Sequence, residues 1–282
     1  MMWARKQAAM KNIRLCLLAG LFLADFHSAF AEDRPQRVVS INVCTDQLAI
    51  LLSDPAQLQS VSYLSRDPLL SVMSDRAKQL PINHGQAEEV FLMKPDLVLA
   101  GTFSSRATVG LLRDLGVRVE EFAPARSFQD IKAHMKRLGE LLGREEEAER
   151  QVSAMSADLM AIRKPDRRQT VALYYANSYT AGRGTLIDEA IRLAGLDNIA
   201  DKAGVRGSAM LPLEMLVMEK PDILVRGSRG RPPALAFENF EHPALRALEG
   251  HTRMVALNDN LTVCGGPFTV EAVAKLAEAA RD

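Results

Sequence analysis

One stretch of this chain occurs twice. Residues 88–101 and 214–227 align without a gap, 126 positions apart. Each copy opens on a glutamate (Glu88, Glu214) and runs as a short helix to a Lys-Pro-Asp turn (Lys94, Pro95, Asp96; Lys220, Pro221, Asp222). Each then continues as an apolar strand and stops at a glycine (Gly101, Gly227). Proline ends the helix, and the apolar run that follows reads as a buried strand. The offset is far longer than a solenoid period, so the repeat predicts two similar α/β lobes.

The rest of the pattern agrees, with short β-rich runs alternating with amphipathic helices. Strands are expected at 37–41, 61–63, 97–100 and 117–119, then at 170–174, 223–225 and 254–257. Thr45 reads as the N-cap of a helix whose first turn holds Asp46, suited to the dipole. Gly116 and Gly195 read as left-handed helix ends, and Ser127 with Asp130 as a helix start. Between the two series, Ala148, Val152, Met155, Leu159 and Ile162 recur at steps of four and three. That spacing predicts one long helix over 144–162, about 28 Å from end to end. The expected organisation is an N-terminal α/β lobe over 32–142, a bridging helix over 143–165 and a C-terminal α/β lobe over 166–282.

Residues 1–31 stand apart. Arg5, Lys6, Lys11 and Arg14 precede the apolar run 15–24, and Ala29, Phe30 and Ala31 follow with small residues at alternate positions. This is the pattern of a cleavable secretory signal peptide, too short in its apolar core to span a bilayer. Cys16 lies at the start of that core, not at its end, so a lipid-attachment site is not expected. The mature chain should begin at Glu32, free in an exported compartment with no later membrane insertion, and act as a monomer. Basic and acidic residues number 35 each overall, leaving 31 basic and 34 acidic beyond position 31. No basic field remains for nucleic acid. Beyond position 31 only Cys44 and Cys264 remain. An even count in an oxidising compartment favours a disulfide between them over two free thiols lining a site.

Catalytic signatures are missing. The chain has no G-x-S-x-G, H-E-x-x-H, Walker loop, G-x-G-x-x-G or C-x-x-C. Histidines 84, 134, 242 and 251 lack metal-ligand spacing, and His134, flanked by Lys132 and Lys136 on a helix, reads as solvated. No metal site, cofactor or enzymatic activity is therefore expected. The alternatives are an exported α/β hydrolase with scattered catalytic residues, or a redox protein using Cys44 and Cys264. Two lobes form a cleft, and α/β layers bind ligands beyond the carboxyl ends of their strands. The loops there, 42–45, 63–67, 101–106, 175–183, 227–231 and 258–268, hold Tyr63, Arg66, Phe103, Arg106, Tyr175, Tyr179 and Arg183. Such a set suits a flat, polar or anionic ligand.

Several segments together resemble one family. They are Arg37-Val38-Val39-Ser40, residues 88–101, Leu115-Gly116-Val117, residues 127–143, residues 214–227 and His242-Pro243-Ala244-Leu245. The chain is similar through them to the periplasmic substrate-binding proteins of ABC importers for cobalamin, iron–siderophores and haem. The resemblance implies two lobes bridged by one long helix, a metal chelate as ligand, and permease subunits as partners. It implies that Glu88 and Glu214 dock on permease arginines. It also places cleft loops at 44–47, with Cys44 and Thr45, and at 264–267, with Cys264, the cysteines either bonded across the cleft or meeting the ligand as thiols. Thr102 joins the ligand candidates from the strand-end loop 101–106. Family members that hold a corrin ring use several tryptophans, and none lies beyond position 31 here. Haem binders present an axial Tyr or His, for which Tyr63, Tyr179 and His84 are the candidates. An iron–siderophore is therefore the favoured chelate, ahead of a corrinoid or haem.

Overall fold

Each series of strands assembles into its own parallel sheet in a computed structural model that describes residues 34–227, 235–248 and 250–281. The signal-peptide reading of 1–31 and the start at Glu32 lie outside the described residues. In chain order the elements are β1 (Val38–Ser40), α1 (Val43–Leu52), β2 (Leu58–Ser62), α2 (Ser74–Ala77), β3 (Ile82–Asn83), α3 (Ala87–Leu92), β4 (Leu97–Gly101), α4 (Arg106–Asp114), β5 (Val119–Phe122) and α5 (Phe128–Leu142). Then come α6 (Glu145–Ala161), β6 (Thr170–Tyr174), β7 (Tyr179–Ala181), α7 (Leu186–Leu193), β8 (Asp197–Asn198), β9 (Ser208–Met210), α8 (Leu213–Glu219), β10 (Ile223–Arg226), α9 (Pro243–Leu248), β11 (Arg253–Ala256) and α10 (Thr269–Ala279).

The first sheet runs β3-β2-β1-β4-β5 and the second β11-β10-β6-β8, with β7 and β9 forming a separate antiparallel pair. Reading β6, β8, β10 and β11 as counterparts of β1, β2, β4 and β5 gives the same strand order in both sheets. The repeat therefore supplies a strand next to the first strand of each lobe, β4 beside β1 and β10 beside β6.

The shared turn has a shared task. Lys94 and Lys220 adopt left-handed backbone (φ 49° and 43°), an uncommon conformation for a residue with a side chain. The aspartate two positions later then reaches the neighbouring strand's entry. Asp96 accepts from the Gln36 and Arg37 amides at 2.6 and 3.0 Å, just before β1. Asp222 accepts from the Thr170 amide at 2.7 Å and its hydroxyl at 2.8 Å, at the start of β6. The terminal glycine is equally explained. A Cβ on Gly101 would lie 2.7 Å from Asn42 Nδ2, and one on Gly227 would lie 2.6 Å from Tyr175 Cδ1. Both glycines make room for a residue that follows the adjacent strand.

Alternating side chains build three apolar layers. Val38, Leu97 and Leu99 of the first sheet, and Val171, Leu173, Ile223 and Val225 of the second, belong to one continuous inner core with α1, α5, α6, α7 and α10. Val39, Val98 and Ala100 face an outer layer with α3 and α4. Ala172, Tyr174 and Leu224 face another with Leu216 of α8. The long helix is α6, 17 residues and about 26 Å, burying Ala148, Val152 and Met155. It is preceded by α5, from which the chain reverses at Gly143 (φ 63°).

Some local expectations change. Asn42, not Thr45, caps α1, accepting from the Cys44 amide at 3.0 Å. Asp46 is fully buried instead of merely facing the dipole. Tyr63 opens a 3₁₀ turn (Tyr63–Arg66) after β2 has ended at Ser62. His134 packs edge-on against Phe122, with centroids 5.6 Å apart, and burial lowers its pKa.

Helices α5 and α6 meet at Gly139, where a Cβ would sit 2.6 Å from that of Ala148. Gly139→Ala gains about 1 kcal/mol of helix propensity but overpacks this contact by about 1–3 kcal/mol. Urea denaturation should show a net loss, reversed by adding Ala148→Gly. A variant as stable as wild type would show that the helices are free to part.

Candidate functional site

The carboxyl ends of the two sheets open on a cavity of about 1240 Å³. One wall is residues 63–70, the turn after β2 and the loop beyond it. The opposite wall comes from the second lobe: Tyr175 and Ala176 after β6, Ala181, Thr185 to Ile187 at the start of α7, Gly227 after β10, Phe240, and the loop holding Asp259, Thr262 and Val263. Most of the lining is apolar. Its acidic and basic side chains, among the described residues, are Arg66, Asp67 and Asp259.

Four consecutive residues of α1 fasten the first wall. Cys44 is disulfide-bonded to Cys264, 220 positions away, with Cα atoms 5.0 Å apart. Thr45 Oγ1 lies 2.8 Å from Ser40 Oγ at the end of β1. Asp46 accepts from the Ser62 amide and hydroxyl, immediately before Tyr63. Gln47 Oε1 accepts from the Val72 amide at 2.9 Å. Asn260 Nδ2 donates to the Pro68 carbonyl at 2.8 Å, joining the two walls. Thus the segment expected to touch the ligand through Cys44 and Thr45 acts from behind: neither residue, nor Cys264, lines the cavity.

Of the other expected residues, Tyr63, Arg66 and Tyr175 come together in the cavity. Tyr63 is half exposed and stacks on His84, centroids 5.3 Å apart at 27°. His84 is itself held by Glu89, through its amide at 2.7 Å and through Nδ1 at 3.3 Å. Tyr175 is packed into the space left by Gly227, and burial, then the Asp259 charge, raises its pKa. Its hydroxyl therefore remains a neutral donor. Arg66 does not project as a free cation, because its guanidinium donates to the Ala77 and Leu80 carbonyls at 3.3 and 2.6 Å.

Thr102, Phe103 and Arg106 sit at the carboxyl end of β4 and the start of α4, exposed and outside the cavity lining. Tyr179 opens β7 opposite Met210, and Arg183 pairs with Asp201 at 3.0 Å; neither lines the cavity. Of the three loop arginines expected to suit an anionic ligand, Arg66 lines the cavity and Arg106 and Arg183 do not. The expected 227–231 loop lies outside the described residues beyond Gly227. Residues that reasoning from sequence passed over are Leu64, Pro68, Leu69, Leu70, Leu186, Ile187 and Phe240. Their one signal is a run of apolar residues at 68–70 outside any helical period.

Among the described residues no group of three or more His, Cys, Asp or Glu side chains is poised to hold a metal, and no helix is long and apolar enough to cross a membrane.

Burial pushes the Asp46 carboxyl up to about 7 from the ordinary 3.8, against hydrogen bonds from Ser40 and Ser62 that favour its charged form. The folded state therefore holds a proton that the unfolded chain releases between these values. Stability from this group is full below about pH 4 and is lost as the pH rises to about 7. Denaturation at pH 4.5, 5.5 and 7 should show a fall that is flattened in Asp46→Asn; equal slopes would refute the assignment. Removing the disulfide by Cys44→Ser with Cys264→Ser should cost about 2–4 kcal/mol. A denaturation midpoint unmoved by that pair would mean that the cross-link closes no loop that unfolding opens.

A sequence model of the periplasmic binding protein family matches residues 38–249. A cobalamin-binding protein of Halobacterium salinarum is 29% identical over 88% of this chain and 70% of its own length. An ABC transporter substrate-binding lipoprotein of Bacillus subtilis is 25% identical over 88% of this chain and 80% of its own. The apo form of a periplasmic haem-binding protein from Roseiflexus sp. RS-1 shares the fold, with a TM-score of 0.73 at 23% identity, covering 87% of this chain and 99% of that one. The match over three quarters of the sequence, with two similar parallel sheets around a cleft, makes this chain a member of the periplasmic binding protein family, whose members are substrate-binding proteins of ABC importers and not enzymes.

Proposed function

We propose that the chain is exported by its N-terminal signal peptide, works as a monomer in the periplasm, and carries a large metal chelate to an ABC permease. The observation that carries this reading is the cavity: about 1240 Å³, apolar for most of its lining, and walled by loops of both lobes. That volume exceeds the common range for drug-sized ligands, roughly 300–1,000 Å³. Tyr63, with His84 stacked behind it, presents a flat face, and Tyr175 offers a neutral hydroxyl. A planar macrocycle with a rim of hydrogen-bonding groups fits these features, Tyr63 offering a flat face where tryptophan is lacking, so a corrinoid is put ahead of the iron–siderophore favoured from sequence, with haem beside it. The cobalamin-binding relative supports the same order. An iron–siderophore is the second reading. The tyrosine hydroxyls favour it, while Arg66, held by the Ala77 and Leu80 carbonyls, and Arg106 and Arg183, outside the lining, weaken the case for an anionic chelate. Glu88 and Glu214, both exposed in the first turn of α3 and α8, would meet cations of the permease.

The test is a titration of protein lacking residues 1–31, and hence tryptophan-free, with cyanocobalamin, haemin, a ferric hydroxamate and a ferric catecholate. Quenching of tyrosine emission reports binding. A macrocycle should bind most tightly, and Tyr63→Ala should weaken it about tenfold through lost stacking. Binding of the ferric chelates alone would move the assignment to siderophores. No response to any of the four would remove the chelate reading.

A further inference from the structure

The two docking helices share more than a glutamate. In the repeat, Leu92 of α3 corresponds to Met218 of α8, each four residues after Glu88 or Glu214. Residues four apart share one face of a helix. Leu92 is 78% exposed and Met218 81%, whereas the neighbours Val90 and Leu216 are wholly buried in the outer layers. A single exposed apolar side chain is ordinary. The same exposure at matched positions of two lobes, beside a matched acid, is not explained by packing within the chain.

The acids are also uncommitted. Glu88 and Glu214 make no ion pair or hydrogen bond among the described residues, while nearby Glu89 and Glu219 pair with His84 and Lys202. Both helices are firmly mounted, each closing on a left-handed lysine and an aspartate that grips the adjacent strand. Both also begin on the cleft side of their sheets. Helix α3 starts four residues after the end of β3, and the approach to α8 is tied by the Leu211 amide to the Ser178 carbonyl, in the turn between β6 and β7.

We propose that Glu88 with Leu92, and Glu214 with Met218, are two equivalent acid-and-apolar contact points for a membrane protein of two-fold repeated surface. Each half of the partner offers a cation and, one helical turn away, an apolar pocket. The charged member steers and orients, and the apolar member holds once water is excluded. This rests on the permease-docking reading above and adds to it the apolar half of each contact, together with the matching of the two halves.

The experiment uses labelled protein beginning at Glu32 and right-side-out vesicles from spheroplasts of the native host. Wild type should bind saturably. Leu92→Ser and Met218→Ser should each weaken binding about tenfold, and the double variant by more, with cyanocobalamin titration and melting temperature unchanged. A photoreactive side chain placed at 92 or at 218 should cross-link to the same membrane polypeptide. The inference falls if the double serine variant binds like wild type, or if the two positions capture different polypeptides. If Glu88→Gln with Glu214→Gln weakens binding while the serine variants do not, the inference fails and the docking reading stands. If wild type does not bind the vesicles saturably, both fail. Concentration-dependent self-association in sedimentation, abolished by the serine changes, would assign the face to a second copy and overturn the proposal.

Discussion

The apolar layer shared by the two sheets is the constraint on which the rest of the molecule depends. Val38, Leu97 and Leu99 on one side and Val171, Ile223 and Val225 on the other belong to a single buried cluster, filled by helices of both lobes. At roughly 25 cal/mol per Å² of apolar surface, prising such a layer apart is far costlier than rotating about a bare linker. The disulfide, the Asn260 contact with Pro68 and the Glu189 carboxylate accepting from the Phe128 amide add cross-ties of different chemistry. The cleft is therefore held by a stiff frame. Its adaptable parts are side chains and the loops at the strand ends.

Much of that frame was legible in the primary structure. The duplication at 88–101 and 214–227 carried enough information for two lobes because it pairs strong local signals, a proline-bounded helix and an apolar strand, whose outcome tertiary context does not override. The helix α6 was legible for the same reason, its stripe at 148, 152 and 155 being regular. Gly116 and Gly195 were readable as left-handed positions from their place after helical periods.

The site was less legible, for a physical reason. Side-chain chemistry says which groups can bind, whereas direction is decided by partners distant in sequence. Arg66 reads as a partner for an anionic ligand until the carbonyls of Ala77 and Leu80 claim it. Cys44 and Thr45 read as ligand contacts because they lie in a cleft loop, yet the Asn42 cap starts the helix early and turns both into fastenings. Asp46 reads as a dipole partner, and only the fold reveals that Ser62 brings the cavity wall to it. The apolar lining at 68–70 carries no periodic signal at all, since those residues belong to neither helix nor strand.

The position of the Cys44–Cys264 bond bears on how the molecule is made. A ribosome delivers Cys44 some 220 residues ahead of its partner, when most of the inner layer does not yet exist. Until then no second thiol lies within residues 45–263, and Cys16 near the amino terminus is the one wrong partner the chain itself offers. Its other hazards during that interval are external, an oxidant or another chain's thiol. Closure of the bond joins the start of α1 to the approach of α10, and so cannot precede the arrival of the strands of the second sheet.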